Sequence, residues 1–181
     1  MTEIRQIIDL IEAKSSKKLG LKPLAYGRSS LAPVLTAKNL DNHYEKLARG
    51  YVDRYNAGEG DPVFNEAGAF LHNLFFEQFK TPSNNNRPSG PVSDLINKKF
   101  GSYAQFRSQV LKTAMGLQGS GWIYLSKSGE LKTIKNHAKR SDIKLLIDWW
   151  EHAWYQDYGT DKKKYLENIW RIINWNVINS R

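Results

Sequence analysis

The chain has 181 residues, of which 40% are hydrophobic and 25% charged, which suits one sizeable core or two small units sharing one and argues against a disordered chain. Cysteine is absent, which excludes disulfides, thiolate metal sites and cysteine nucleophiles, and a formal charge of +9 favours anionic partners. No apolar run approaches the roughly 20 residues of a membrane span, and Glu3, Asp9 and Glu12 fit neither a secretion signal nor a transit peptide, so a soluble cytoplasmic or otherwise intracellular protein is expected.

In chain order, Ile4, Ile7, Ile8 and Ile11 recur at helical spacing and predict a short amphipathic helix within an N-terminal extension, residues 1–22. Residues 23–33, rich in Gly, Ser and Pro, read as an extended loop. A helix is expected over 36–55, a turn over 57–62, and a second helix over 63–79 with Phe64, Ala67, Leu71, Leu74 and Phe75 on its apolar face. The two make a helical hairpin domain, 23–86, closed by the polar, proline-rich linker 81–91.

The remaining residues, 87–181, read as an α+β domain. Helices are expected over 91–100 and 102–113, a β-hairpin over 122–134 with its turn at Ser126 to Gly129, a third strand over 143–149, and helices from Glu151 to Ile178. The fold class is therefore α+β, an N-terminal helical hairpin followed by a three-stranded antiparallel sheet flanked by helices. Aromatic residues crowd into 64–79 and 149–174, which predicts that these stretches pack together.

Only four histidines are present, and His43, His72 and His152 all sit in aromatic-rich segments. Singly, each is most simply a satisfied core group. Jointly, three imidazoles and one carboxylate are a compact donor set for a redox-active transition metal. Asp148 lies four residues before His152, and Tyr51 lies eight after His43, about two helical turns.

The run Asp148-Trp149-Trp150-Glu151-His152-Ala153-Trp154-Tyr155 resembles the signature segment of the iron/manganese superoxide dismutases. The resemblance continues in Asn42-His43-Tyr44, Tyr51-Val52, Leu71-His72-Asn73, Phe100-Gly101-Ser102-Tyr103, Gly119-Ser120-Gly121-Trp122 and Tyr165-Leu166-Glu167 through Asn174-Trp175, collinear over residues 24–181. It implies that His43, His72, Asp148 and His152 bind one Fe or Mn ion per subunit, with iron slightly favoured, and that superoxide is the substrate. Tyr51 would be a gateway residue and Trp122 a wall of the pocket. His137 would bond the solvent held by the metal, with Gly68 as its accompanying small residue. Glu151 and Tyr155 would meet the partner subunit in a homodimer.

The sequence departs from the resemblance at Leu47, Phe70 and Gln118, near the substrate funnel. The alternative is a non-catalytic structural or RNA-associated protein on the same fold, for which a pI near 9.6 is suited; nucleic acid is expected as a partner only in that case. Such a protein would be expected to have lost ligands, whereas all four positions here hold the expected residue types.

Overall fold

Thr36 starts the first helix: its side chain accepts from Asn39 N, while its own hydroxyl donates to Asp157 Oδ1 at 2.6 Å, tying the helix entry to a segment more than a hundred residues later. The computed structural model describes residues 18–181, and the helix expected near the N-terminus lies outside the described residues. Helix α1 (Ala37–Leu40) passes without a break into a π-helical stretch (Asp41–Ala48) and then α2 (Arg49–Ala57). This wider coil was not expected from the 3.6-residue period. Single π turns within helices recur at functional sites, and this one carries His43.

Gly58, with φ of 72°, ends α2 in the left-handed region, and Asp61 caps α3 (Pro62–Glu77) by accepting from Val63 N and Phe64 N, with Pro62 in the first turn. The helical hairpin thus forms as expected, and α3 buries Ala67, Gly68, Leu71, His72, Phe75 and Phe76. Residues 23–27 are loop as expected, but residues 28–34 fold into successive turns that include a cis Ala32–Pro33 peptide, with Leu31, Val34 and Leu35 fully buried. Upstream, the side-chain amides of Asn56 and Asn73 bond the backbone of Leu19, Gly20 and Lys22.

Helices α4 (Pro91–Phe100) and α5 (Tyr103–Gly116, capped by Ser102) lead to strands β1 (Gly121–Ser126), β2 (Leu131–Lys135) and β3 (Ile143–Asp148). The sheet is antiparallel in the order β2-β1-β3. Every residue of β1 is buried, and Trp122 stands opposite both Ile134 and Asp148. The closing region is more fragmented than the expected helices. A 3-10 turn (Glu151–Ala153), α6 (Tyr155–Tyr158), α7 (Lys162–Ile169), a second 3-10 turn (Trp170–Ile172) and α8 (Trp175–Ser180) are separated by the positive-φ Gly159 and by new caps at Asp161 and Asn174.

The two aromatic stretches meet where Phe79 bridges Ile173, flanked by bonds from Lys80 N to Ile172 O and from Asn174 N to Gln78 O. One continuous core joins Phe75, Phe76 and Phe79 to Trp122, Trp149, Tyr165 and Trp170. The N-cap of α3 gives a direct check. Asp61→Ala should lower the unfolding free energy by about 1 kcal/mol in a urea titration, and Asp61→Ser, which keeps an acceptor, should recover most of it.

Candidate metal centre

Four separate elements converge on one point. His43 comes from the π-helical stretch, His72 from the middle of α3, Asp148 from the end of β3 and His152 from the 3-10 turn that follows. Asp148 Oδ2 lies 3.1 Å from His43 Nε2, 3.4 Å from His152 Nε2 and 3.7 Å from His72 Nε2, and one donor atom from each of the four residues falls within a 4.8 Å group. Donors held about 2 Å from a common first-row ion must lie roughly 3–4 Å from one another, so the spacing fits a single ion.

The hydrogen bonding makes the same point chemically. His72 Nδ1 faces Gly68 O at 2.7 Å, and because a carbonyl only accepts, Nδ1 carries the proton and Nε2 is a bare lone pair. That Nε2 is buried without a hydrogen-bond partner, as is His152 Nε2, and both point at the Asp148 carboxylate. The His72 lone pair is repelled by the carboxylate it faces unless a cation stands between them. Asp148 is itself well anchored: Oδ1 accepts from Trp150 N at 2.8 Å, and its carbonyl accepts from Tyr165 Oη at 3.2 Å, which leaves Oδ2 for the imidazoles.

Burial sets the charge states. It pushes His43 down to about 4, despite the hydrogen bond to Asp148, and drives His72 well below its ordinary value, helped by nearby His43. For Asp148 burial acts upward, but the neighbouring His152 and the hydrogen bond from His43 outweigh it and hold the carboxyl well below the usual range. The site is therefore an anionic carboxylate beside His43 and His72 in their neutral, metal-binding forms.

Beside the cluster runs a second chain of polar groups. Trp122 Nε1 is 3.1 Å from His137 Nδ1, and His137 Nε2 is 2.9 Å from Tyr51 Oη. An indole N–H only donates, so His137 Nδ1 must accept, the ring's one proton sits on Nε2, and that N–H is given to Tyr51. His137 in this state has one N–H, and Tyr51 takes it. Burial lowers His137 to about 4 and raises Tyr51 to about 12, which keeps both neutral.

Tyr51 can approach because residue 68 has no side chain: a Cβ there would lie 2.8 Å from the Tyr51 ring. The turn that delivers His137 uses Asn136 at φ of 55°, a left-handed position that Asn tolerates. The sequence reading had missed the aromatic slot around His137. Trp150 stacks on it at 4.5 Å and 18°, and Phe64 flanks it at 4.7 Å. The dense aromatic run around Asp148 was the one available signal.

The structure brings together His43, His72, Asp148 and His152, with Tyr51, His137, Gly68 and Trp122 around them. Glu151 and Tyr155 do not join this group. Glu151 is exposed beside His152, and Tyr155, at 57% exposed, lines a surface cavity of about 450 Å³ with Asn42, Leu47, His152 and Gln156. Among the other departures, Gln118 is exposed and Phe70 packs under the Lys139 ammonium.

Two expectations follow from these protonation states. His43 and His137 are neutral when folded but take protons near 6.5 when unfolded, so the unfolded chain binds more protons in the window between about 6.5 and 4, and burial of His72 acts in the same direction. The stability they contribute is present above that window and is lost as pH falls through it, at about 1.4 kcal/mol per pH unit for each imidazole, as urea unfolding of the metal-free protein would measure. Long-range 15N NMR should find His137 protonated at Nε2, and Trp122→Phe should release the ring into a mixture of tautomers.

The comparisons with known proteins agree with this geometry. Residues 88–181 match the family described as iron/manganese superoxide dismutases, C-terminal domain. An iron superoxide dismutase of Pyrobaculum aerophilum is 30% identical, over 92% of this chain and 93% of its own. One of Bacteroides fragilis is 34% identical, over 87% and 96%, and a Mn/Fe superoxide dismutase of Porphyromonas gingivalis is 31% identical over the same shares. The chain belongs to the iron/manganese superoxide dismutase family.

Proposed function

We propose that the protein is a superoxide dismutase that turns two superoxide anions and two protons into dioxygen and hydrogen peroxide with one bound Fe or Mn ion. The observation that carries this reading is the convergence of three imidazole nitrogens and one carboxylate oxygen within 4.8 Å, with bare lone pairs aimed at a common centre. The bound ion supplies the alternating one-electron oxidation and reduction of superoxide.

His43, His72, Asp148 and His152 hold the ion in this reading. Asp148 contributes the only anionic ligand, which favours the more highly charged oxidation state, and the all-nitrogen-and-oxygen set accepts iron or manganese, with iron slightly preferred. Gly68 O fixes the His72 tautomer, an outer contact of the kind metal-binding imidazoles require. Tyr51 receives its hydrogen bond from His137, so its own hydroxyl proton is free to be offered to an anion in the pocket. Trp122, buried and opposite Asp148, walls the pocket and keeps water out.

The charge of +9 helps draw in an anionic substrate, and added salt should slow the reaction by screening it. Exposed Leu47 and Tyr155 beside Glu151 support a homodimer formed on the His152 side of the site. The division at residues 86–87 into a helical unit and an α+β unit is part of the same proposal. No helix among the described residues is long and apolar enough to cross a membrane. The basic charge would also suit an RNA-associated role, but the intact donor set has no use in such a protein.

The test joins elemental analysis of the purified protein to a superoxide-decay assay. The wild type should contain about one Fe or Mn per chain and be active. His72→Ala should lose metal and more than about a hundredfold of the activity, beyond the 10–100-fold typical of losing an outer contact. Activity retained after metal depletion would reject the proposal, and tight RNA binding with no bound metal would favour the non-catalytic reading.

A further inference from the structure

Strand β3, which ends in Asp148, is an edge strand, because the sheet order is β2-β1-β3. Its outward-facing backbone groups would ordinarily be left for water or another strand. Here side chains satisfy them, in a row at alternate residues. Arg181 Nη1 donates to Lys144 O at 3.4 Å. The amide of Gln78 makes both bonds to Leu146, Nε2 donating to its carbonyl and Oε1 accepting from its N–H at 3.2 Å. Tyr165 Oη donates to Asp148 O at 3.2 Å. Three side chains thus do the work of a missing neighbouring strand.

The middle member of this row joins the two elements that carry candidate ligands. Gln78 directly follows α3, six residues after His72, and Leu146 lies two residues before Asp148. Gln78 is fully buried, and its amide orientation is forced, because Oε1 faces two donors, Leu146 N–H and Arg181 Nη1 at 3.4 Å. The Arg181 guanidinium is fixed in turn by Leu74 O at 2.6 Å and Glu77 Oε2 at 3.2 Å, both in the last turn of α3.

We propose that Gln78, held by Arg181, is a positioning residue for the metal centre: its paired bonds to Leu146 set the register of β3 against α3 and so the placement of Asp148 opposite His72. Apolar packing between helix and sheet is non-directional and tolerates sliding. A doubly bonded amide does not, since a slip of one residue exchanges the N–H and C=O pattern and turns Asp148 to the other face. From Leu146 to Asp148 is about 7 Å along a strand, too short for an error in register to be absorbed before the ligand. Ionised glutamate could accept but not donate here, and asparagine is one methylene too short, so glutamine is the residue that fits.

This inference rests on the reading of the cluster as a metal centre, and the test separates the two. Cobalt(II) is bound to the full-length protein, and its affinity and visible absorption are measured for the wild type, Gln78→Leu and Asn86→Leu. Asn86 is a buried amide that donates to Trp170 O and Ile173 O, both at 2.8 Å, rather than to β3, so its loss controls for destabilisation. Gln78→Leu should weaken cobalt at least tenfold and change the absorption bands, while Asn86→Leu lowers thermal stability with the bands unchanged.

Should Gln78→Leu not fold, Arg181→Leu and Tyr165→Phe, which loosen the same edge more gently, should shift the bands in the same sense by a smaller amount. Unaltered affinity and bands in Gln78→Leu, or in both gentler variants, would overturn the positioning role and leave the metal centre standing. A wild type that binds no cobalt would overturn the metal centre itself.

Discussion

A negative charge sits at the centre of this fold, met at its Oδ2 only by imidazoles. Asp148 is fully buried, and the groups nearest its Oδ2 are imidazoles, two of which, His43 and His72, are held neutral by burial. Burying a carboxylate is costly unless it is paired, and the bare lone pair of His72 facing it makes the arrangement worse. A cation at the common centre turns that repulsion into attraction and pairs the carboxylate. The donor set is thus poorly arranged as a piece of core and well arranged as a metal site.

The rest of the architecture holds this arrangement in place. The π-helical stretch sets His43 on its turn, Gly68 receives the His72 proton and leaves room for Tyr51, and the central strand places Trp122 opposite Asp148. Helical hairpin and sheet each supply part of the site, so the core that joins them is also what assembles the donors. The edge of β3 is finished by Arg181, Gln78 and Tyr165 rather than by backbone, which lets one strand be held directly by the elements around it. The Trp122–His137–Tyr51 chain runs in one direction only, since an indole cannot accept and a neutral imidazole has one proton to give.

Much of this was legible in the sequence. Hydrophobic spacing located the hairpin helices, apolar runs around the turn at Ser126 to Gly129 located the sheet, and the resemblance to the superoxide dismutases, with three imidazoles amid aromatics, pointed to His43, His72, Asp148 and His152. What escaped depended on non-local geometry. A π turn leaves almost no trace in an apolar pattern read at 3.6 residues per turn, so 41–48 read as ordinary helix. Residues 23–33 have the composition of a loop, and burial of Leu31, Val34 and Leu35 gathers residues 28–34 into a packed series of turns. The closing helices break at Gly159, Asp161 and Asn174, each a recognisable stop or cap that the aromatic content overshadowed. Gln78 and Arg181 gave no sequence signal, because a clamp between elements appears only when both are in place.

The most direct measurement is anomalous X-ray diffraction from crystals of the purified protein at the iron and manganese edges. The account predicts one peak per chain, about 2 Å from His43 Nε2, His72 Nε2, His152 Nε2 and Asp148 Oδ2. A peak at any other position, or a fully folded and active protein with no peak among these four atoms, would contradict it.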